Sequence, residues 1–137
     1  MSSIRQSLSL VLMISVSTVL AGCVPIGPVY SVLDRDATAD DQVPEVVESG
    51  AADIAIETAR YVGQAEGVGS WLAHATTPDL ICLIVYSNAQ EWVTGCGGGG
   101  TEFGLGGPSG QFVVLPDGAS APNNASQLAE NVYRISN

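Results

Sequence analysis

The chain has 137 residues, with 14 Asp or Glu against four Arg and no Lys. That length admits one domain. The scarcity of basic side chains excludes a surface built to read nucleic acid or phosphate, and equally a polybasic membrane patch. The mean hydropathy of +0.29 owes much to residues 8–21 and is not the mark of a membrane-embedded fold.

The first element is an export signal. Arg5 precedes an apolar run from Leu8 to Ala21, broken only by Ser9, Ser15, Ser17 and Thr18. The run is about 14 residues, short of the roughly 20 that a spanning helix needs. A basic start, a short apolar middle and small residues before a cut define a cleavable signal. Leu20-Ala21-Gly22-Cys23 closes the run and matches the lipobox of bacterial lipoproteins at all four positions. The resemblance implies that residues 1–22 are a signal peptide and that cleavage falls before Cys23. Cys23 would then carry palmitate-type acyl chains and hold the protein to the cell membrane on its extracytoplasmic side. One acyl chain anchors only marginally; the two or three on a bacterial lipoprotein Cys meet the requirement. With Arg5 removed, 14 acids face three arginines.

From Val24 to Glu57 the composition changes. Pro25, Pro28 and Pro44 break regular structure, acids accumulate from Asp34 to Glu57, and Tyr30 is the sole aromatic. Such a composition predicts a disordered, self-repelling tether over 23–57. A free chain of that length has an end-to-end distance on the order of 30 Å and a reach of roughly 120 Å. Within it, residues 34–45 place oxygen side chains at several positions of a calcium-hand loop. Ala39 stands where the sharp turn needs Gly, and Pro44 interrupts the end, so the segment reads as solvated linker. Glu45–Ala55 could form a short helix, weakened by Gly50.

Residues 58–137 read as a small all-β domain of about six to seven short strands, an antiparallel sandwich or barrel. Ala59–Ala65 and Gly69–Thr76 flank a Glu66-Gly67 hairpin turn. Leu80–Tyr86 is nearly all apolar and predicts a central strand buried on both faces. Glu91–Cys96, Thr101–Leu105, Gln111–Leu115 and Asn131–Ser136 complete the set, with 119–130 as a loop containing at most one helical turn.

With Cys23 lipidated, Cys82 and Cys96 remain as a pair outside the reducing cytosol, where a disulfide is the default. Pairing Ser87 with Glu91 around a three-residue loop sets Tyr86 against Trp92, Ile84 against Thr94 and Cys82 against Cys96. Directly opposed strand residues lie within disulfide reach. The 13 residues between the two Cys do not form a redox C-x-x-C motif, and zinc would need two further ligands.

Chemistry-bearing patterns are sparse. Gly95–Gly100 formally matches G-x-G-x-x-G, but no helix follows and no βαβ unit surrounds it. A flexible turn or bulged strand junction is the reading. His74, the only His, would need a Ser such as Ser70, Ser87 or Ser109 and an orienting carboxylate to act as a general base. Glu66, Asp79, Glu91, Glu102, Asp117 and Glu130 fall largely at turns, where acids serve turn chemistry. Tyr86 and Trp92, if exposed, form the best candidate binding patch. No cofactor, metal or nucleic acid is expected.

Several segments are similar in spacing to small uncharacterised lipoproteins and secreted proteins of actinobacteria: Thr58–Gly63, Ile81–Val85, Thr94–Gly98, Val114–Gly118 and Asn131–Tyr133. That resemblance implies no activity. The expectation is therefore a membrane-anchored, monomeric, non-catalytic module of the envelope that binds a protein or glycan or serves a structural role. The alternative is a small secreted hydrolase using His74.

Overall fold

The computed structural model describes Gly22, residues 30–129 and residues 131–137. Residues 1–21 and 23–29, Cys23 among them, lie outside the described residues, as does Glu130. Of the antiparallel sandwich or barrel expected from the sequence, the structure has two four-stranded sheets, eight strands among the described residues where six to seven were expected. Strands β1 (Arg60–Ala65), β2 (Val68–His74), β3 (Leu80–Asn88) and β4 (Glu91–Gly98) form one sheet in that order. Strands β5 (Phe103–Gly107), β6 (Gly110–Val114), β7 (Ala125–Ala129) and β8 (Val132–Ile135) form a second, in the order β5-β6-β8-β7. Two short helices precede the strands, α1 (Ser31–Asp34) and α2 (Glu45–Gly50), with 3₁₀ turns at Ala39–Asp41 and Ile56–Thr58.

Side-chain alternation assigns the faces. Val68 and Leu72 of β2, with Ile81, Leu83 and Val85 of β3, point toward the second sheet. There they meet Phe112, Val114 and Val132 in one core. Trp71 and Ala73 of β2, with Cys82 and Ile84 of β3, point the other way. Ile81 through Val85 are all buried, as the unbroken apolar run predicts. A strand apolar on both faces needs two covers, and the second sheet supplies only one.

The other cover is the segment expected to be a tether. From Tyr30 onward the chain is a strap laid on the sandwich, which corrects the disordered reading of 23–57 over its described part and moves the start of the domain from residue 58 to residue 30. Tyr30 and Leu33 enter the inter-sheet core. Val47, Ala51, Ile54 and Ala59 pack on the outer face of the first sheet, against Trp71, Ala73, Cys82 and Ile84. Each fully buried side chain of the Val or Leu class contributes about 1.5–3 kcal/mol, which offsets the entropy of ordering the strap. Asp34, Asp36, Asp40, Glu45, Glu48, Asp53 and Glu57 are all exposed, and Asp41 alone is buried. Composition averaged over the segment reports the acids and misses the widely spaced apolar residues beneath them. The predicted helix at 45–55 is present but ends at Gly50.

The β3–β4 register follows the sequence expectation: Tyr86 opposes Trp92, Ile84 opposes Thr94, and Cys82 opposes Cys96. The two Cys form a disulfide with Cα atoms 4.0 Å apart. The turn itself differs. Asn88, not Ser87, pairs with Glu91, leaving a two-residue connection and a register shift at Ser87. The cause is the Asn88 side chain, whose Oδ1 accepts from the backbone N–H of Gln90 and of Glu91, each at 3.0 Å. That is an Asx turn, which tightens the loop by one residue.

The glycine run is strand rather than flexible turn through Gly98. A Cβ on Gly97 would lie 2.4 Å from Cγ of Phe103, and one on Gly95 would lie 2.7 Å from Cδ1 of Leu105. The side chains of β5 therefore lie directly on the β4 backbone, and these glycines are required by close approach. One further strand, β7, lies where a loop is expected. Ala125–Ala129 has little β-propensity of its own, and its pairing with β8 makes it a strand. Because β6 and β7 are both antiparallel to β8, which separates them, residues 116–124 must run back along the length of β8.

These registers give the sandwich two distinct ends. The β1–β2, β3–β4 and β5–β6 turns gather at one end, closed by the pairs Ala65–Val68, Asn88–Glu91 and Gly107–Gly110. The opposite end carries Leu80 paired with Gly98, the Leu115–Asn131 backbone hydrogen bond at 2.8 Å, and the start of the strap, where Ser31 N–H donates to Asp117 Oδ2 at 3.0 Å.

Candidate functional site

The turn end is the best-organised exposed surface among the described residues. Glu66 and Gly67 both have positive φ, 51° and 79°, the pattern of a tight hairpin turn whose twist suits the flanking strands. Arg134 of β8 reaches this turn, its Nη1 donating to the Glu66 carboxylate. Its Nη2 donates to the carbonyl of Ser109 in the β5–β6 turn at 3.1 Å. The guanidinium lies over Gly110, where an added Cβ would sit 3.2 Å from Nε and where φ is +122°. Ser87 Oγ and Ser109 Oγ are 2.5 Å apart, joining the β3–β4 turn to the same group.

Side-chain contacts thus tie three hairpin turns into one platform. Beside it lies an open cleft of about 460 Å³ lined by Ala65, Glu66, Gln111, Ser126 and Arg134. Its donors and acceptors are amides, hydroxyls and one cation whose carboxylate partner is itself largely exposed. An exposed ion pair of this kind contributes little stability. The chemistry suits hydrogen bonding to a polar surface rather than burial of an apolar ligand.

A second organised group fixes the strap. Strand β1 is an edge of its sheet, and an unpaired edge exposes backbone N–H and C=O groups. Asp41 Oδ1 accepts from the Tyr61 N–H at 2.7 Å, while Arg35 Nη2 donates to the Tyr61 carbonyl at 3.4 Å. Arg35 and Asp41 are themselves joined in a two-pronged pair at 2.7 and 2.5 Å. The Thr38 N–H adds another bond to Asp41 at 2.7 Å, and Arg60 Nε donates to the Arg35 carbonyl at 2.9 Å. The Arg35 guanidinium, outweighing the cost of burial, holds the Asp41 carboxyl far below the usual carboxylate range, with the Thr38 and Tyr61 N–H groups adding to the effect. Both oxygens of Asp41 are engaged in this latch. Residues 34–45 thus run from the end of α1 through the 3₁₀ turn and the latch to the start of α2.

The residues singled out in the sequence fall apart in space. His74 is exposed at the end of β2, where its backbone N–H donates to Thr58 Oγ1 at 2.8 Å and its carbonyl accepts from the Ala55 N–H at 2.9 Å. Ser70 lies four positions back on the same strand, roughly 13 Å away at the usual strand rise, and is fully buried. Ser87 and Ser109 sit at the opposite end of the sandwich. Among the candidate carboxylates, Glu66 and Glu91 belong to the turn end, while Asp79 and Glu102 belong to the other. Asp117 accepts from Asn131 Nδ2 at 2.7 Å. Its own burial is outweighed by that bond and by Ser31, and its carboxyl is held below the usual range.

Tyr86 and Trp92 are neighbours across β3 and β4 but only half exposed. A Cβ on Gly50 would lie 2.8 Å from the Trp92 ring, so the end of α2 partly covers the pair. The Arg134 platform was missed in the sequence because its members, Glu66, Ser87, Ser109 and Arg134, converge only through strand register. The latch was missed because Asp41 was counted among linker acids.

Comparison with protein-family models, curated proteins and solved structures found no match to this chain.

Proposed function

We propose that this protein is a lipid-anchored module of a bacterial envelope, held on the extracytoplasmic face through Cys23, and that its sandwich binds an envelope protein or glycan, or serves a structural role, without catalysis. The observation that carries the reading is the position of the lipobox relative to the fold. Leu20-Ala21-Gly22-Cys23 ends seven positions before Tyr30, the point at which the chain enters the sandwich core. Anchor and domain are thereby joined at the end of the molecule opposite the three-turn platform, which leaves that platform available to a partner. No helix among the described residues is long and apolar enough to cross a membrane.

The hydrolase alternative gains no support from geometry, because no described Ser or carboxylate hydrogen-bonds the His74 imidazole. Membrane fractionation of the wild type against Cys23→Ala tests the anchor. The wild type is expected in the membrane fraction and the variant in the soluble one. Equal membrane recovery of both would overturn lipid anchoring.

A further inference from the structure

We infer that the α1 end of the sandwich, carrying Ser31, Asp117 and the Thr76–Asp79 turn, is held against the membrane surface, and that the three-turn platform projects away from it. This inference rests on the anchoring reading above and adds an orientation to it.

The sequence expectation places about 34 residues of free chain between anchor and domain, enough to let the domain tumble at a distance of tens of ångströms. The structure removes most of that length. Tyr30 and Leu33 are buried in the inter-sheet core. Ser31 is bonded to Asp117, and Arg35 and Asp41 are locked onto the β1 edge. The remaining link, from Cys23 to Tyr30, is seven residue steps, at most about 25 Å of chain. The nine residues of β3 span about 30 Å between the two ends. The link is therefore no longer than the domain it holds, and it departs from one end only. Averaged over the orientations it permits, the α1 end must lie nearer the lipid.

Charge shapes the contact. Asp34, Asp36, Asp79 and Glu102 are exposed at this end, and Arg35 beside them is paired with Asp41, which leaves an acidic surface that anionic headgroups do not attract. The end therefore rests near the headgroups through its link and does not insert. The polar platform, with Glu66, Asn88, Ser109 and Arg134, is carried outward, which is the presentation a partner-binding surface requires.

Two exposed sites separate the ends: Thr77, beside the β2–β3 connection, and Ala89, in the β3–β4 turn. Full-length lipidated Thr77→Cys and Ala89→Cys proteins, with Cys82 and Cys96 left in their disulfide, would be labelled with a donor fluorophore. Each would be reconstituted in phosphatidylglycerol–phosphatidylethanolamine liposomes containing an acceptor lipid. The expected result is strong energy transfer from position 77 and weak transfer from position 89, equivalent to a mean height difference approaching 30 Å. Inserting a flexible Gly/Ser segment of about 20 residues after Cys23 should shrink that difference. Equal heights, a reversed order, or a difference untouched by the insertion in protein that co-floats with the liposomes would overturn the orientation while leaving the anchor standing. Failure of the lipidated protein to co-float would instead overturn the anchor and the orientation with it.

Discussion

Replacing Asp41 by alanine is expected to destabilise the protein by about 2–4 kcal/mol and to lift the strap from the first sheet. Removing one member of a wholly buried ion pair costs about 3–5 kcal/mol, because the other charge is stranded. Here the Arg35 side chain is 37% exposed and can be rehydrated, which lowers the figure. Against that, the Tyr61 and Thr38 N–H groups lose their acceptor as well. The strap covers Trp71, whose ring meets that of Tyr61 edge-on at 5.2 Å. A red-shifted tryptophan emission should therefore accompany the fall in melting temperature. Asp40→Ala, one position away and exposed, is the control and should change stability by less than about 0.5 kcal/mol.

The same latch sets the acid response. Asp41 is held below its ordinary value in the folded protein, and an unfolded Asp titrates near about 3.9. A carboxyl depressed on folding contributes fully above its unfolded value and loses that contribution as pH falls toward the folded one. Asp117 is shifted in the same direction. Wild-type stability should thus owe nothing to changes in these two groups between about pH 5 and 7, and should fall progressively below about pH 4. In Asp41→Asn the slope below that point should be shallower.

Removing the disulfide is expected to cost about 3 kcal/mol, the chain-entropy value for a closed loop of this size. The bond joins residues 14 apart across β3 and β4. The Cys82 side of the bridge is fully buried under the strap, among Val47, Ala51 and Ile54, while Cys96 is exposed. Reduction thus slackens the hairpin and, through Cys82, the packing of the strap. The Cys82→Ala, Cys96→Ala double substitution should lower the melting temperature by several degrees. Cys82→Ser alone should be worse, since it buries a hydroxyl in an apolar cluster. Titration of both thiols as free in the mature wild type would contradict the staple.

The β hairpin at the centre of the first sheet was legible because two cues converged. The apolar run from Leu80 marks a strand, and the positions of Cys82 and Cys96 fix its partner. Its turn was off by one residue because the Asn88 side chain, not strand pattern, decides the loop. Strand β7 was hidden because Ala125–Ala129 lacks β-branched or aromatic residues and takes its form from β8. The strap was misread for a physical reason of another kind. Charge and proline content report how a segment meets water, whereas Leu33, Val47 and Ile54 report what it covers. The two-sided burial predicted for Leu80–Tyr86 already demanded a second cover, and the segment from Tyr30 to Ala59 is what provides it. The turn platform lay beyond sequence reasoning, since Glu66, Ser87, Ser109 and Arg134 have no spacing in common.

The most direct test of the anchored-module account is the intact mass of the mature protein, with sequencing of its N-terminal peptide. The account predicts a chain beginning at Cys23, lacking residues 1–22 and bearing two or three acyl chains on that residue. A mature chain that retains residues 1–22, or that begins elsewhere with Cys23 unmodified, would contradict it.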